Sequence, residues 1–286
     1  MKFLILIFCV LLFFGCSAKK VLKAPERSMQ RISAAIERSK GITPDQEYYI
    51  GRAVAAKIVS TYTILEDEDL TKYLNLVGNI VAVNSDHPDL PGGYHFGILN
   101  TKDINAFACP GGIVFITKGL LDTLDNEDEL AAVLAHEIAH INNRDGISSI
   151  EDSRRSGVLS TILLEPFRFA ASLTPLHLAV FSGAFIQSVD SVVDTVSING
   201  YDKSDEFKAD NDALNYLRRA AYNPVSLVDY QKKVLEHYNS VESEQHSTHP
   251  GLAERIQKLE SMTLKVELDD IKVKERKKRF EDALKG

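Results

Sequence analysis

Apolar residues recur at helical spacing along most of the chain, separated by breaks rich in proline and glycine. Thr43-Pro44 supplies an N-cap followed by proline at the first helical position. Tyr49, Ala53, Ala56 and Ile58 follow, so a helix is expected to open the folded domain. Leu70, Leu74, Val77 and Val81 predict a second helix over roughly 67–83. His87-Pro88 and Pro91-Gly92-Gly93 then break the chain. Tyr94 to Leu99 and Ile113 to Thr117 read as short strands, with Ala106 to Cys109 extended between them and Pro110-Gly111-Gly112 suited to a turn. Asp125-Asn126 with Glu127 and Asp128 place capping and acidic residues ahead of a helix through Leu130 to Ile141. Glu206 opens another helix, with Ala209, Ala213, Leu214 and Leu217, ending near Tyr222-Asn223-Pro224. Helices through Leu227 to Leu235 and Pro250 to Leu259 complete the pattern. The expected fold class is α+β, predominantly helical, with a small β-sheet between helices. The domain is expected over 43–262, behind a polar tether at 17–42 and ahead of a charged extension at 263–286 whose last helix is solvated.

The first sixteen residues form a targeting segment. Met1-Lys2 is a minimal positive start, and Phe3 to Phe14 is an apolar run too short for a bilayer, which needs about 20 residues. Phe13-Phe14-Gly15-Cys16 resembles a bacterial lipobox, with Phe13 where leucine is usual, and this implies lipid modification of Cys16. A plain secretory signal cleaved near Ala18 is the alternative; both export the body of the chain. By the lipobox resemblance, Ser17 points to an outer-membrane anchor. A second apolar segment, 158–198, carries no formal charge from Phe169 to Val189, but Pro175, His177 and Gln187 make it a poor bilayer span. It is expected as a lid over a cleft, a membrane-facing patch or core, with a membrane hairpin as the remaining alternative.

Composition narrows the function classes. The 286 residues are 44% hydrophobic and 26% charged, an ordinary globular balance. With 33 Lys and Arg against 40 Asp and Glu the net charge is -7, which gives no footprint for polyanions and excludes nucleic acid as the default partner. Cys9 and Cys16 lie in the targeting segment, leaving Cys109 alone in the body, where it reads as a small buried residue rather than a nucleophile.

The informative segment is His136-Glu137-Ile138-Ala139-His140, an HExxH arrangement on the helix that begins near Asn126. At 3.6 residues per turn, imidazoles four positions apart project from one face and can bind one ion. Glu137 lies about 100° around the helix, placing it beside the metal to act on a bound water. Zn2+ suits neutral imidazole, and a catalytic site keeps three protein ligands and one position open to water. The helix is too apolar, with Ala131, Ala132, Ala135 and Ala139, for these polar groups to be solvent decoration.

A third ligand must come from elsewhere. HExxH followed by Glu206-Phe207-Lys208-Ala209-Asp210, an ExxAD pattern, resembles the zinc peptidase family of the CAAX prenyl proteases and HtpX. Two further blocks are similar to that family: Asn105 to Gly112 running on to Thr117-Lys118-Gly119-Leu120-Leu121, and Thr248-His249-Pro250 with Arg255-Ile256. The resemblance covers about residues 43–260 and is nearest to the BepA/LoiP-like periplasmic lipoprotein proteases; no 34-residue helical repeats follow. It implies a zincin-like domain in which His136, His140 and Glu206 bind one Zn2+ and Glu137 is general base. It further implies that Asp210 orients a histidine ligand. His249 would stabilise an oxyanion or fill the open position at rest, and Arg255 would hold substrate or a neighbouring carboxylate. Lys208 replaces the family's usual acidic residue and should face away from the metal.

Asn105, Ala106, Phe107 and Ala108 would then form an edge strand to which an extended peptide adds through its backbone. Such binding tolerates many side chains and suits unfolded or misassembled polypeptides. The expected function is zinc endopeptidase of misfolded envelope proteins in the periplasm. The alternatives are a non-cleaving lipoprotein chaperone and a zinc hydrolase of a non-peptide amide.

Overall fold

The computed structural model describes residues 41–148, 186–187, 189–240, 249, 251–263 and 270–285. The targeting segment with Cys16, the tether before Gly41 and the apolar stretch up to residue 185 lie outside the described residues. No helix among the described residues is long and apolar enough to cross a membrane.

Helix α1 spans Pro44–Thr61 and starts at Thr43, as its sequence requires. Thr43 Oγ1 accepts from the Gln46 backbone and Gln46 Oε1 accepts from the Thr43 N–H, a reciprocal cap that satisfies two otherwise orphaned donors. Helix α2 spans Glu68–Ala82 behind an Asp67 cap. Strands β1 (His95–Leu99), β2 (Ala106–Cys109) and β3 (Ile113–Thr117) form a sheet in the order β1-β3-β2, with β1 parallel and β2 antiparallel to β3. Gly111 and Gly112, at φ 75° and 108°, make the β2–β3 turn that no other residue would make without strain. A Cβ on Gly51 of α1 would fall 1.6 Å from the Pro110 carbonyl oxygen, so glycine is what lets α1 lie against this turn.

After the short helix α3 (Lys118–Leu121), helix α4 (Glu127–Asn143) carries the HExxH residues through the centre of the fold. Every residue from Glu127 to Asn142 is buried. Helix α4 packs against α2, β2 and β3, and against three later helices: α5 (Lys203–Arg219), α6 (Val225–Ser240) and α8 (Asp270–Ala283). Helix α7 (Leu252–Thr263) lies against α5 and α6. This is the helical α+β architecture that the periodicity predicts, with a three-stranded sheet.

The charged C-terminal extension differs from expectation. Its helix α8 is not merely solvated, because it docks on α4 with Phe280 only 2% exposed. Arg276 reaches Asp128 at 2.7 Å and Arg279 reaches Glu127 at 2.5 Å, while Lys233 of α6 lies 2.6 Å from Glu129. The acids of the first turn of α4 are therefore countered by cations from two other helices as well as by the helix dipole.

Candidate metal centre

Helix α4 presents His136 and His140 one turn apart, with their Nε2 atoms 3.1 Å from each other. Helix α5 brings Glu206, fully buried, to both: Oε2 is 3.4 Å from His136 Nε2 and Oε1 is 3.5 Å from His140 Nε2. Just ahead of α7, His249 places Nδ1 2.9 Å from Glu206 Oε1 and 3.3 Å from His136 Nε2. One donor atom from each of these four residues lies within 4.8 Å of all the others. The sequence-predicted ligands, separated by up to 70 positions, are thus brought together, and His249 joins them.

The chemistry of the donors matches a cation. Behind each imidazole stands a carboxylate: Asp145 Oδ2 lies 2.7 Å from His140 Nδ1, and Asp210 Oδ1 lies 3.1 Å from His136 Nδ1, off the ideal hydrogen-bond line. A proton on each Nδ1 answers those carboxylates, which turns both Nε2 lone pairs toward Glu206 and toward each other. Lone pairs and carboxylate oxygens that close repel unless positive charge stands among them, and Arg255 supplies part of it from one side, with Nη2 3.5 Å from His136 Nε2. Tetrahedral coordination with bonds of 2.0–2.1 Å has donor separations of about 3.3–3.4 Å, and the observed 2.9–3.5 Å brackets that value. The residues present therefore fit a Zn2+-sized ion.

Electrostatics agree. Burial would raise the Glu206 carboxyl, yet His249, Arg255 and His136 hold it well below the ordinary range. Asp210 is likewise held low against burial, chiefly by Arg255. Burial would lower both histidines, but the carboxylates beside them push both up, His140 to about 10 with Asp145 its largest such partner. Without a cation, protons occupy the pocket, so ion binding must displace them. Affinity is accordingly expected to rise with pH, by up to about tenfold per unit for each proton displaced, levelling only near pH 10. Chelator competition across the neutral range checks this; a flat affinity contradicts it.

Glu137 stands beside the cluster. Its Oε1 is 3.8 Å from His249 Nε2, and its buried Oε2 has no hydrogen-bond partner. Arg255 resolves one open alternative: it is 2% exposed and grips carboxylates rather than facing a cleft. Its Nε and Nη2 each donate to Asp210 at 2.7 Å, and its Nη1 pairs closely with Glu206. Lys208 is exposed, as its position on α5 requires.

The strand assigned to substrate is packed on its side-chain faces. β2 is an edge of the sheet, but Ala106, Phe107 and Ala108 are at most 3% exposed. A π-helical turn, Thr195–Asn199, packs against that strand, and Asn105 is half-buried with its N–H donating to Thr117 Oγ1. Cys109 is fully buried, and burial followed by Glu137 pushes its thiol well above the usual range, leaving it inert.

Sequence reasoning missed three residues here. Asp145 is an acid five positions after His140. Tyr201 stacks on the His140 ring at 4.1 Å and 20°, with its buried hydroxyl unpartnered. Gln231 of α6 donates to Asp210 at 2.8 Å. Asp145 and Tyr201 lie close in sequence to the motifs and could have been flagged; nothing local marks Gln231.

Comparison with known proteins places this geometry. The model of peptidase family M48 matches residues 68–263, more than half of the chain. The chain belongs to peptidase family M48. Families of this kind are metalloproteases, so the enzyme class follows with the family. This M48 peptidase is 30% identical over 214 residues to the beta-barrel assembly-enhancing protease of Yersinia pestis, and 28% over 213 residues to that of Escherichia coli strain K12. Each match covers 72% of this chain and 41% of the relative, so the M48 peptidase spans about two fifths of their length. It is also 31% identical over 197 residues to a protease HtpX homolog of Salinibacter ruber, covering 58% of this chain and 66% of that protein.

Proposed function

We propose that this M48 peptidase is a zinc-dependent endopeptidase acting on misfolded or misassembled envelope proteins. The convergence of His136, His140 and Glu206 on one point, each imidazole backed by a carboxylate, carries this reading. When bound there, Zn2+ supplies Lewis-acid chemistry, polarising a peptide carbonyl and lowering the pKa of water to about 7.

The chain's own groups do the rest. Glu137, with Oε2 buried and uncommitted, takes the proton from the attacking water and delivers it to the leaving amine. Asp210 orients His136, and Arg255 neutralises the two buried carboxylates so that the site does not carry excess negative charge. His249, with Nδ1 beside His136 and Glu206, would be a further group able to hold the ion, and turned toward substrate it can donate to the developing oxyanion. The substrate backbone then adds to β2 once the π-helical turn has moved off that strand.

The printed names of the relatives, beta-barrel assembly-enhancing proteases, support unfolded or misassembled outer-membrane proteins as substrates. The targeting segment supports export to the periplasm with a lipid anchor at Cys16 on the outer membrane. Metal removal tests the activity. The purified chain should hold about one zinc and cleave a denatured outer-membrane protein, lose that cleavage on chelation and regain it with added Zn2+. An unfolded client left intact by the zinc-loaded chain, though bound, would make it a holdase instead.

A further inference from the structure

We propose that Asp145 is a positioning residue for His140, fixing which edge of that ring faces the metal pocket. The proposal rests on His140 being a ligand, and it explains how that ligand keeps its orientation.

The His140 ring is 1% exposed and constrained on one face by Tyr201, stacked at 4.1 Å with the planes 20° apart. A stack fixes the plane of an imidazole but is indifferent to a half-turn about its Cβ–Cγ bond. That half-turn exchanges Nε2 with Cε1 and would aim carbon at Glu206 and His136. A hydrogen bond to Nδ1 distinguishes the two states. Asp145 Oδ2, 2.7 Å from Nδ1 and itself buried, supplies it and also holds the proton on Nδ1, leaving Nε2 as a lone pair.

Helix geometry shows that this contact is made on purpose by the backbone. In a continuous helix Asp145 would sit about 140° around the axis from His140. Instead α4 ends at Asn143, and Arg144 adopts φ 61° and ψ 30°, the left-handed conformation that side chains other than glycine and asparagine rarely take. The reversal swings residue 145 back under the last turn. Arg144 is held there from two sides: Nε donates to Glu47 Oε2 at 2.7 Å and Nη2 to the Ile42 carbonyl at 2.6 Å. Ile42 and Glu47 lie ahead of residue 68, where the M48 match begins. The start of α1 therefore secures a turn that sets a metal-facing side chain.

The test is zinc affinity of the full chain by chelator competition, together with the long-range proton–nitrogen spectrum of the histidine rings. Asp145→Ala should weaken zinc by about 10–100-fold and abolish the solvent-protected Nδ1–H signal of His140. Asp145→Asn keeps the shape and an acceptor oxygen without the charge. It should fold normally, keep the signal and sit near the low end of that range, about tenfold weaker. His140→Ala should lose tight binding altogether. Asp145 variants that bind zinc as tightly as the parent and keep the signal overturn the proposal. An unchanged affinity in His140→Ala instead overturns the ligand assignment on which it rests.

Discussion

Glu137→Gln is expected to lower cleavage of an unfolded client by about 10²–10⁴-fold while leaving zinc content and the folded structure unchanged. Glu137 is buried on α4 between the two histidines in sequence, but its carboxylate is not among the atoms that converge on the ion position. Glutamine keeps the volume and an acceptor oxygen and removes only the capacity to take a proton. Because Oε2 has no hydrogen-bond partner, the substitution breaks no internal bond at that atom. Parallel measurement of metal stoichiometry and casein hydrolysis separates the roles. Full activity in Glu137→Gln would show that the chain hydrolyses without this base, and loss of zinc would show that Glu137 is a ligand.

The largest effect on stability is expected at Arg255. Arg255→Leu should destabilise the metal-free protein by about 3–5 kcal/mol, read as a lower urea midpoint at unchanged slope. Arg255 is buried with Glu206 and Asp210, and it meets Asp210 through two donors at once. Leucine fills much of the space but leaves two buried carboxylates without their shared cation. Arg255→Lys should recover only part of the loss, since an ammonium cannot make the paired contact to Asp210 and reach Glu206 together. Zinc should narrow the difference by taking over Glu206. A metal-free Arg255→Leu protein with the parent's midpoint would mean that the ion pairs are energetically idle.

Much of this site could be read in advance because its key spacings are local. HExxH and ExxAD each fix their residues within a single helix, so periodicity alone sets which side chains share a face. Thr43-Pro44 and Asn126 mark helix starts through the chemistry of the orphaned N–H groups, and both caps are found. Where prediction fell short, the cause is long-range or conformational. The role of Asp145 depends on a left-handed residue that no glycine announces. Gln231 meets Asp210 only because α6 packs beside α5. Arg276 and Arg279 look like solvated charge until Asp128 and Glu127, about 150 positions away, are placed opposite them. The packing of the turn at 195–199 on β2 is equally long-range, and the turn's sequence gives no sign of a π-helical geometry.

The docking of α8 bears on how this protein can be shortened. Sequence similarity to M48 stops at residue 263, an inviting place to trim, yet Phe280 and the two arginines beside it belong to the packing of the central helix. A fragment ending there would bare an acidic collar around the first turn of α4 and leave a hole where the phenyl ring had been. A trimmed protein is therefore expected to keep its central helix firmly seated only if it runs through the end of α8.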